Sequence, residues 1–215
     1  MPGSVIFYGD SNTFGFNSAG YCGGGFQGTF FSKKDTWVGR VAASPLLTGI
    51  NVINSGENGR TIPVNEWEKR ELADILHRNA PVRLAGGMLG SNDLLTMFRC
   101  SMVKVALKMG AMLEYLLKLP EIDGDGLRIL LIAPPRTELP GIREEELEFN
   151  KLSEGFGAAY RGLSQKYGTH FADAGSWGIP LSSDGVHFTK EGHRIFADHM
   201  LGVLEEIFSG RKHYC

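Results

Sequence analysis

Short apolar runs alternate along this chain with longer stretches in which apolar residues recur at helical spacing. Each short run is bounded by Gly, Ser, Asp or Pro, and an apolar run between turn-forming residues is typical of a buried β-strand. The pattern predicts five strands, at residues 5–8, 51–54, 82–89, 127–132 and 169–171.

The longer stretches each have a polar face and an apolar face. In the strongest of them, Lys104, Lys108 and Glu114 lie roughly on one side, and most of the Met and Leu residues lie on the others. Thr189 has the hydroxyl side chain that commonly caps a helix N-terminus. The predicted helices are residues 36–47, 64–78, 101–117, 144–167 and 189–208.

This alternation of strands and helices predicts the fold class. Strands joined through helices form parallel sheets, and the connecting helices cover both faces of the sheet. We therefore expect one α/β domain, residues 1–215, built as a three-layer α/β/α sandwich around a five-stranded parallel sheet of flavodoxin-like order. Ligands of such sheets bind outside the carboxyl ends of the strands, so the function depends on what those ends carry.

Composition mainly excludes classes of function. The net charge of −2 on 215 residues gives no strong field that would select a nucleic acid. No apolar stretch reaches the roughly 18 residues of a membrane span, and the N-terminus lacks the pattern of a signal peptide, so we expect a cytoplasmic protein without a membrane partner. Cys22, Cys100 and Cys215 are too far apart in sequence for a zinc or redox motif and are expected to be reduced thiols.

Three predicted strands end in residues that can carry chemistry. Ser11 follows the first strand directly, after Gly-Asp. Gly56 and Gly59 follow the second, where a close backbone could offer an N–H group to an oxyanion. Asn92 follows the third, and its neutral NH₂ group also suits a developing oxyanion. Each of these segments can equally be interpreted as an ordinary turn or helix cap.

Asp184 and His187 lie three residues apart, just before the last predicted helix. A carboxylate at this spacing can fix the imidazole tautomer while the imidazole takes a proton from a serine hydroxyl. A surface or capping histidine is the alternative interpretation. We expect the other histidines to be structural or solvated: His77, His170, His193, His199 and His213.

In this order, the segments resemble the SGNH hydrolase superfamily, also called the GDSL family. Asn12 stands where the family often has Leu, and the match is otherwise close. The matching segments are residues 9–12, Gly56 with Gly59, residues 90–93 and residues 184–187.

The resemblance implies a serine esterase or acyltransferase that acts on a small-molecule ester and needs neither a metal nor an organic cofactor. Ser11 would be the nucleophile. His187 would act as general base and then as general acid, and Asp184 would orient it.

The resemblance also implies an oxyanion hole and its support. The backbone N–H groups of Ser11 and Gly59, with the side chain of Asn92, would stabilise the oxyanion. Asp10 and Asp93 would tie the surrounding loops together.

Within the family, Trp37 and residues 173–175 and 184–189 are most similar to the bacterial arylesterase/acyltransferase branch. We therefore expect hydrolysis of short-chain, acetyl-like acyl esters. A carbohydrate O-acetylesterase, an acyl-thioesterase and a lysophospholipase on the same fold remain alternatives. The third predicted strand departs from the pattern, because residues 83–88 are less apolar than expected.

Two other classes of function remain open. The segments Gly9-Asp10 and Asn92-Asp93, with Asp184 and His187, could be interpreted as the oxygen- and nitrogen-rich metal site of a metallophosphoesterase, although such a site usually draws on several histidines. A catalytically inactive SGNH binding module would have lost a residue of the site, whereas all of them are present in this sequence.

The segment 17–28 is rich in glycine and contains Tyr21 and Phe26, with Phe30 and Phe31 directly after it. A solvent-exposed loop seldom carries so many apolar rings. We expect a homo-oligomer formed partly by this segment. The alternative is a lid that folds over its own domain.

Overall fold

The computed structural model of the protein describes residues 3–18, 29–96 and 100–210. Five strands form one parallel sheet, in the spatial order β4-β1-β5-β6-β7, and a short antiparallel pair, β2 and β3, lies outside it. The strands are β1 (Ser4–Gly9), β2 (Phe16–Asn17), β3 (Thr29–Phe30), β4 (Asn51–Gly56), β5 (Val82–Met88), β6 (Ile129–Ala133) and β7 (His170–Asp173).

Eight α-helices occur in the described residues; α1 to α7 lie between strands of the parallel sheet, and α8 follows the last strand. None of them combines the length and apolar character that crossing a membrane requires. The helices are α1 (Ser11–Phe14), α2 (Trp37–Ala42), α3 (Glu66–Arg78), α4 (Ser91–Thr96), α5 (Met102–Leu116), α6 (Glu144–Ser153), α7 (Phe156–Tyr167) and α8 (Lys190–Phe208).

The helices cover both faces of the sheet, which confirms the predicted three-layer α/β/α fold and the flavodoxin-like strand order. Side chains alternate between the faces along β1. Val5 and Phe7 pack with α2 and α8, whereas Ile6 and Tyr8 pack with α3, α5 and α7. Because both faces of β1 are buried, its residues Val5 to Tyr8 are continuously apolar rather than alternating.

Two predicted helices are wrong in their extent. The helix predicted at 36–47 ends at Ala42, and a short 3₁₀ turn, Pro45–Leu47, follows, because Pro45 has no N–H group with which to continue the helix. The helix predicted at 144–167 is two helices, α6 and α7. They are separated at Gly155, a poor helix former, where a Cβ would lie 3.1 Å from Cγ of Met102.

The third predicted strand is β5, and packing explains why part of it is less apolar than expected. A Cβ on Gly86 would lie 2.8 Å from the ring of Phe7 on the neighbouring strand β1. The absence of a side chain at Gly86 therefore makes room for Phe7, which is buried and contacts Trp37 edge to face with ring centroids 4.7 Å apart.

Three short elements were not predicted: α1, α4 and the β2–β3 pair. In that pair Phe16 lies opposite Phe30 and Asn17 opposite Thr29, so Asn17 belongs to a strand rather than to the predicted loop. Residues 19–28, which include most of that loop with Cys22, lie outside the described residues, as does Cys215. The homo-oligomer expected from the loop therefore stays a prediction.

Candidate active site

Ser11 is the first residue of α1 and directly follows Asp10 at the carboxyl end of the inner strand β1. Asp10 caps α1, because its carboxylate accepts a hydrogen bond of 2.9 Å from the N–H group of Asn12. The sharp change from strand to helix thus fixes Ser11 at the edge of the sheet where ligands of this fold bind.

The structure brings Ser11, His187 and Asp184 together in one hydrogen-bonded chain. Nε2 of His187 lies 3.0 Å from Oγ of Ser11, and Nδ1 lies 2.7 Å from Oδ2 of Asp184. The other carboxylate oxygen, Oδ1, accepts hydrogen bonds of 3.0 Å from the backbone N–H groups of Val186 and His187. This geometry allows the imidazole to take a proton from Ser11 while Asp184 holds its other nitrogen.

Two carboxylates near Ser11 have opposite pKa shifts. Burial alone would raise the pKa of Asp184, but the hydrogen bonds from the His187 imidazole and from two backbone N–H groups outweigh burial and hold the pKa well below its usual range. Burial raises the pKa of Asp10 to about 6, although the Asn12 N–H group and the nearby His187 oppose this shift. Asp184 is therefore ionised throughout the neutral range, whereas Asp10 takes up a proton near pH 6.

The two backbone N–H groups predicted for the oxyanion hole, those of Ser11 and Gly59, belong to the segments that follow the adjacent strands β1 and β4. Within the described residues, neither the N–H group of Ser11 nor that of Gly59 donates a hydrogen bond. Gly59 has a φ of 76°, which glycine adopts readily and which directs the turn after β4. The side chain of Asn92, at the start of α4, lies next to this turn, because its NH₂ group donates to the carbonyl of Arg60 over 3.0 Å.

Arg60 holds the Gly59 turn against the sheet. Its guanidinium donates to the carbonyl of Gly9 over 3.0 Å and to that of Ser55, and it lies 4.1 Å from the centre of the Tyr8 ring. These contacts join the turn to the ends of both β1 and β4. Arg60 was not among the predicted site residues, because a lone arginine in a Gly-rich turn does not indicate such contacts.

Asp93 ties the same turn to a second helix. Oδ2 accepts a hydrogen bond of 2.9 Å from the N–H group of Ile62, and Oδ1 accepts one of 2.7 Å from Nζ of Lys108 on α5. Asp93 is buried, and Lys108 compensates its charge. Two consecutive residues of α4 thus contact the turn: Asn92 at the carbonyl of Arg60 and Asp93 at the N–H group of Ile62.

An aromatic cluster lies beside the imidazole. The ring of Phe16 packs against that of His187 with centroids 4.6 Å apart. Phe30 contacts Phe16 and Phe14 at 6.1 and 5.0 Å, and Phe14 and Phe30 are about half exposed. The short β2–β3 pair therefore presents an apolar surface next to His187.

A second histidine, His193, is buried, and its hydrogen bond joins it to α2 rather than to Ser11. Nδ1 of His193 accepts a hydrogen bond of 3.2 Å from the N–H group of Trp37 at the start of α2. Burial, together with the charge of Arg40, lowers the pKa of His193 to about 4, so this imidazole is neutral. His193 therefore has a structural role, as expected.

The carboxylates that a metallophosphoesterase would use have other partners. Asp184 contacts His187, and Asp93 contacts Lys108 and Ile62. In the part of the chain that the structure describes, no three side chains of His, Cys, Asp or Glu are grouped as a metal site requires.

A sequence comparison identifies the family of this chain. The sequence model of the GDSL-like lipase/acylhydrolase family matches residues 7–195. A comparison with curated proteins finds no match.

Solved structures with the same fold include several esterases. An aryl esterase of M. smegmatis is 24% identical with a TM-score of 0.77, over 95% of this chain and 99% of that chain. A carbohydrate acetylesterase family member from Sinorhizobium meliloti is 24% identical with a TM-score of 0.80, over 96% and 99%. An acetyl-xylooligosaccharide esterase from Geobacillus is 19% identical with a TM-score of 0.61, over 94% of each chain.

Proposed function

Because this chain belongs to the GDSL-like lipase/acylhydrolase family and is a carboxylic ester hydrolase, we propose that it is a serine esterase or acyltransferase that cleaves short, acetyl-like acyl esters through an acyl-enzyme on Ser11. The observation that carries the proposal is the continuous hydrogen-bonded chain from Ser11 through His187 to Asp184, at 3.0 and 2.7 Å. These three hydrogen-bonded side chains lie at the carboxyl edge of the sheet.

The first step is attack by Oγ of Ser11 on the ester carbonyl carbon while Nε2 of His187 takes the hydroxyl proton. Collapse of the tetrahedral intermediate breaks the bond to the alcohol oxygen, and His187 returns the proton to that oxygen. Water, or an acceptor alcohol in acyl transfer, then attacks the acyl-enzyme carbonyl while His187 takes its proton. The bond between the acyl carbon and Oγ of Ser11 breaks, and His187 returns the proton to Oγ, which releases the acid or the new ester. The ionised Asp184 stabilises the imidazolium in both steps.

The negative charge of the intermediate needs donors that are already in place. We assign this role to the N–H groups of Ser11 and Gly59 and to the NH₂ group of Asn92. The two backbone donors have no partner within the described residues, and Arg60 and Asp93 hold the turn that carries one of them. Donors fixed before the reaction stabilise the oxyanion without reorganisation.

Asn92→Ala is expected to lower kcat roughly 10²-fold while KM changes little, because the lost donor acts mainly on the transition state. Steady-state kinetics on a p-nitrophenyl ester measures both constants. Asn79→Ala is the matched control and should leave both constants unchanged. Asn79 caps the C-terminal end of α3, where its side chain donates to the carbonyl of Ile75. A rise in KM with an unchanged kcat would show that Asn92 only binds substrate.

The alcohol part of the substrate is placed by the chemistry. The leaving oxygen must lie near Nε2 of His187 to receive its proton, so the alcohol lies near the rings of Phe14, Phe16 and Phe30. An apolar or planar alcohol would bury apolar surface there. This favours aryl and other compact alcohols.

A second candidate is a carbohydrate O-acetylesterase, and a cleft beside the Gly59 turn favours it. The cleft is lined by Gly59, Arg60, Trp67 and three glutamates, among other residues. Trp67 is 72% exposed, and an exposed indole with polar neighbours suits a sugar ring, which has apolar faces and hydroxyl edges.

A substrate panel tests the proposal. We expect kcat/KM on p-nitrophenyl acetate to exceed that on p-nitrophenyl decanoate at least about 10-fold, because the site proposed for short acyl groups would reject added methylenes. Acetylated xylo-oligosaccharides, offered in the same assay, separate the two candidates. Equal rates for all chain lengths would contradict a short acyl pocket, and Trp67→Ala should impair only the sugar substrates if the cleft binds them.

A further inference from the structure

The amide side chain of Asn12 contacts the backbone on both sides of His187. Its NH₂ group donates to the carbonyl of Val186 over 3.0 Å, and its carbonyl oxygen accepts from the N–H group of Phe188 over 2.9 Å. The sequence separations are 174 and 176 residues. Only one orientation of the amide satisfies both partners, because one partner needs a donor and the other an acceptor.

Asn12 is itself held in place. It is 5% exposed, its N–H group donates to Oδ1 of Asp10 over 2.9 Å, and its carbonyl accepts from Nε1 of the buried Trp37 over 3.1 Å. The backbone of the residue that follows Ser11 is therefore fixed from two directions. A short side chain on such a backbone has little freedom to move.

The backbone around His187 has other partners, and most of them belong to its own loop. The exception is the carbonyl of Gly185, which accepts a hydrogen bond of 2.7 Å from the N–H group of Glu138. The N–H groups of Val186 and His187 donate to Asp184, and the carbonyl of His187 accepts from the N–H group of Ser182 over 2.7 Å. The contacts within the loop fix its shape, and the contact with Glu138 ties it to the segment after β6. None of them joins the loop to the segment that carries Ser11.

From these contacts we propose that Asn12 is a positioning residue that sets the distance between Ser11 and His187, through its paired hydrogen bonds to Val186 and Phe188. Ser11 and Asn12 are consecutive in α1, so a loop that is tied to Asn12 is tied to the nucleophile. The proposal rests on the proposed function, since it assumes that His187 takes the proton of Ser11.

The chemistry predicts what happens without the amide. Proton transfer needs the donor and acceptor within hydrogen-bond reach, and an error of about 1 Å can cost about 10²-fold in rate. The leucine side chain branches at Cγ as the asparagine side chain does, but it can neither donate nor accept a hydrogen bond. The carbonyl of Val186 and the N–H group of Phe188 would then seek other partners, and the loop would shift.

Asn12→Leu is therefore expected to lower kcat about 10²-fold with KM changed less than about 3-fold. Asn12→Ser, whose short hydroxyl cannot reach both partners, is the second variant, and it keeps the test valid if the leucine variant does not fold. Ser164→Ala is the matched control for lost stability. Ser164 is fully buried and donates to the carbonyl of Thr169 over 2.8 Å, before β7 and at the opposite edge of the sheet.

A double-mutant cycle separates positioning from general loss of structure. In a His187→Ala background, Asn12→Leu should cost less than about 2-fold, because the base that it positions is gone. In an Asn92→Ala background, Asn12→Leu should still lower kcat by the full factor of about 10². A purely structural role would lower the residual rate in both backgrounds alike, and that result would overturn the proposal.

The two proposals fail in different ways. If Ser11→Ala and His187→Ala retain the activity, the proposed function is wrong. If those variants lose it while folded Asn12→Leu and Asn12→Ser both keep the wild-type kcat, only the role of Asn12 is wrong.

Discussion

Ser11→Ala should lower kcat/KM for ester hydrolysis by a factor on the order of 10³ or more, because an acyl-enzyme cannot form without the hydroxyl oxygen. The side chain is small and 6% exposed, and its loss leaves the contacts of Asp10 and Asn12 intact. The fold should therefore survive, with an unchanged circular dichroism spectrum. Hydrolysis of p-nitrophenyl acetate measures the loss.

Covalent labelling gives an independent measurement. A fluorophosphonate probe should label the wild type and should not label Ser11→Ala. Ser209→Ala, at the exposed end of α8, serves as the matched control and should be labelled and active. A Ser11→Ala variant with more than about a tenth of the wild-type kcat contradicts the assignment of the nucleophile. Activity that EDTA removes and a divalent ion restores would favour the metallophosphoesterase interpretation.

Asp184→Asn should lower kcat by about 10⁴, through the tautomer of His187. Oδ1 of Asp184 accepts from two backbone N–H groups, those of Val186 and His187. An amide at this position would keep its oxygen on those two donors and turn its NH₂ group toward Nδ1 of His187. Nδ1 would then have to accept, the proton would lie on Nε2, and the imidazole could not take the proton of Ser11.

Steady-state kinetics near pH 8 measures this loss, together with KM, which should change little. Asp198→Asn removes one negative charge from the exposed face of α8, where Asp198 pairs with Arg194, and is the matched control. An Asp184→Asn variant within about 10-fold of the wild-type kcat would show that the carboxylate does not set the tautomer.

The sequence predicts most of the sheet because burial leaves a local signal. β1 lies between two layers of helices, so every position must be apolar, and the run from Val5 to Tyr8 is visible without any tertiary knowledge. Helix ends are less visible. The break at Gly155 and the stop before Pro45 depend on one residue each, and the polar β5 makes sense only once Phe7 is seen against Gly86.

The candidate site likewise contains residues that the sequence predicts and contacts that only the structure shows. Ser11, Asn92, Asp184 and His187 could be found because each follows a strand or precedes a helix and has a side chain that can transfer a proton or stabilise charge. Asp93 was expected to tie loops together, and the structure adds its partners, Lys108 and Ile62.

The sequence by itself thus determined the fold class, the strand positions and the residue types that meet at the carboxyl edge of the sheet, since periodicity and turn chemistry are local properties. Only the tertiary structure decided the roles of Asn12 and Arg60. Their partners are backbone groups, which every residue has, and those of Asn12 lie 174 and 176 residues away. A backbone carbonyl or N–H group has no sequence signature, so a side chain that works by holding one is invisible until the chain has folded.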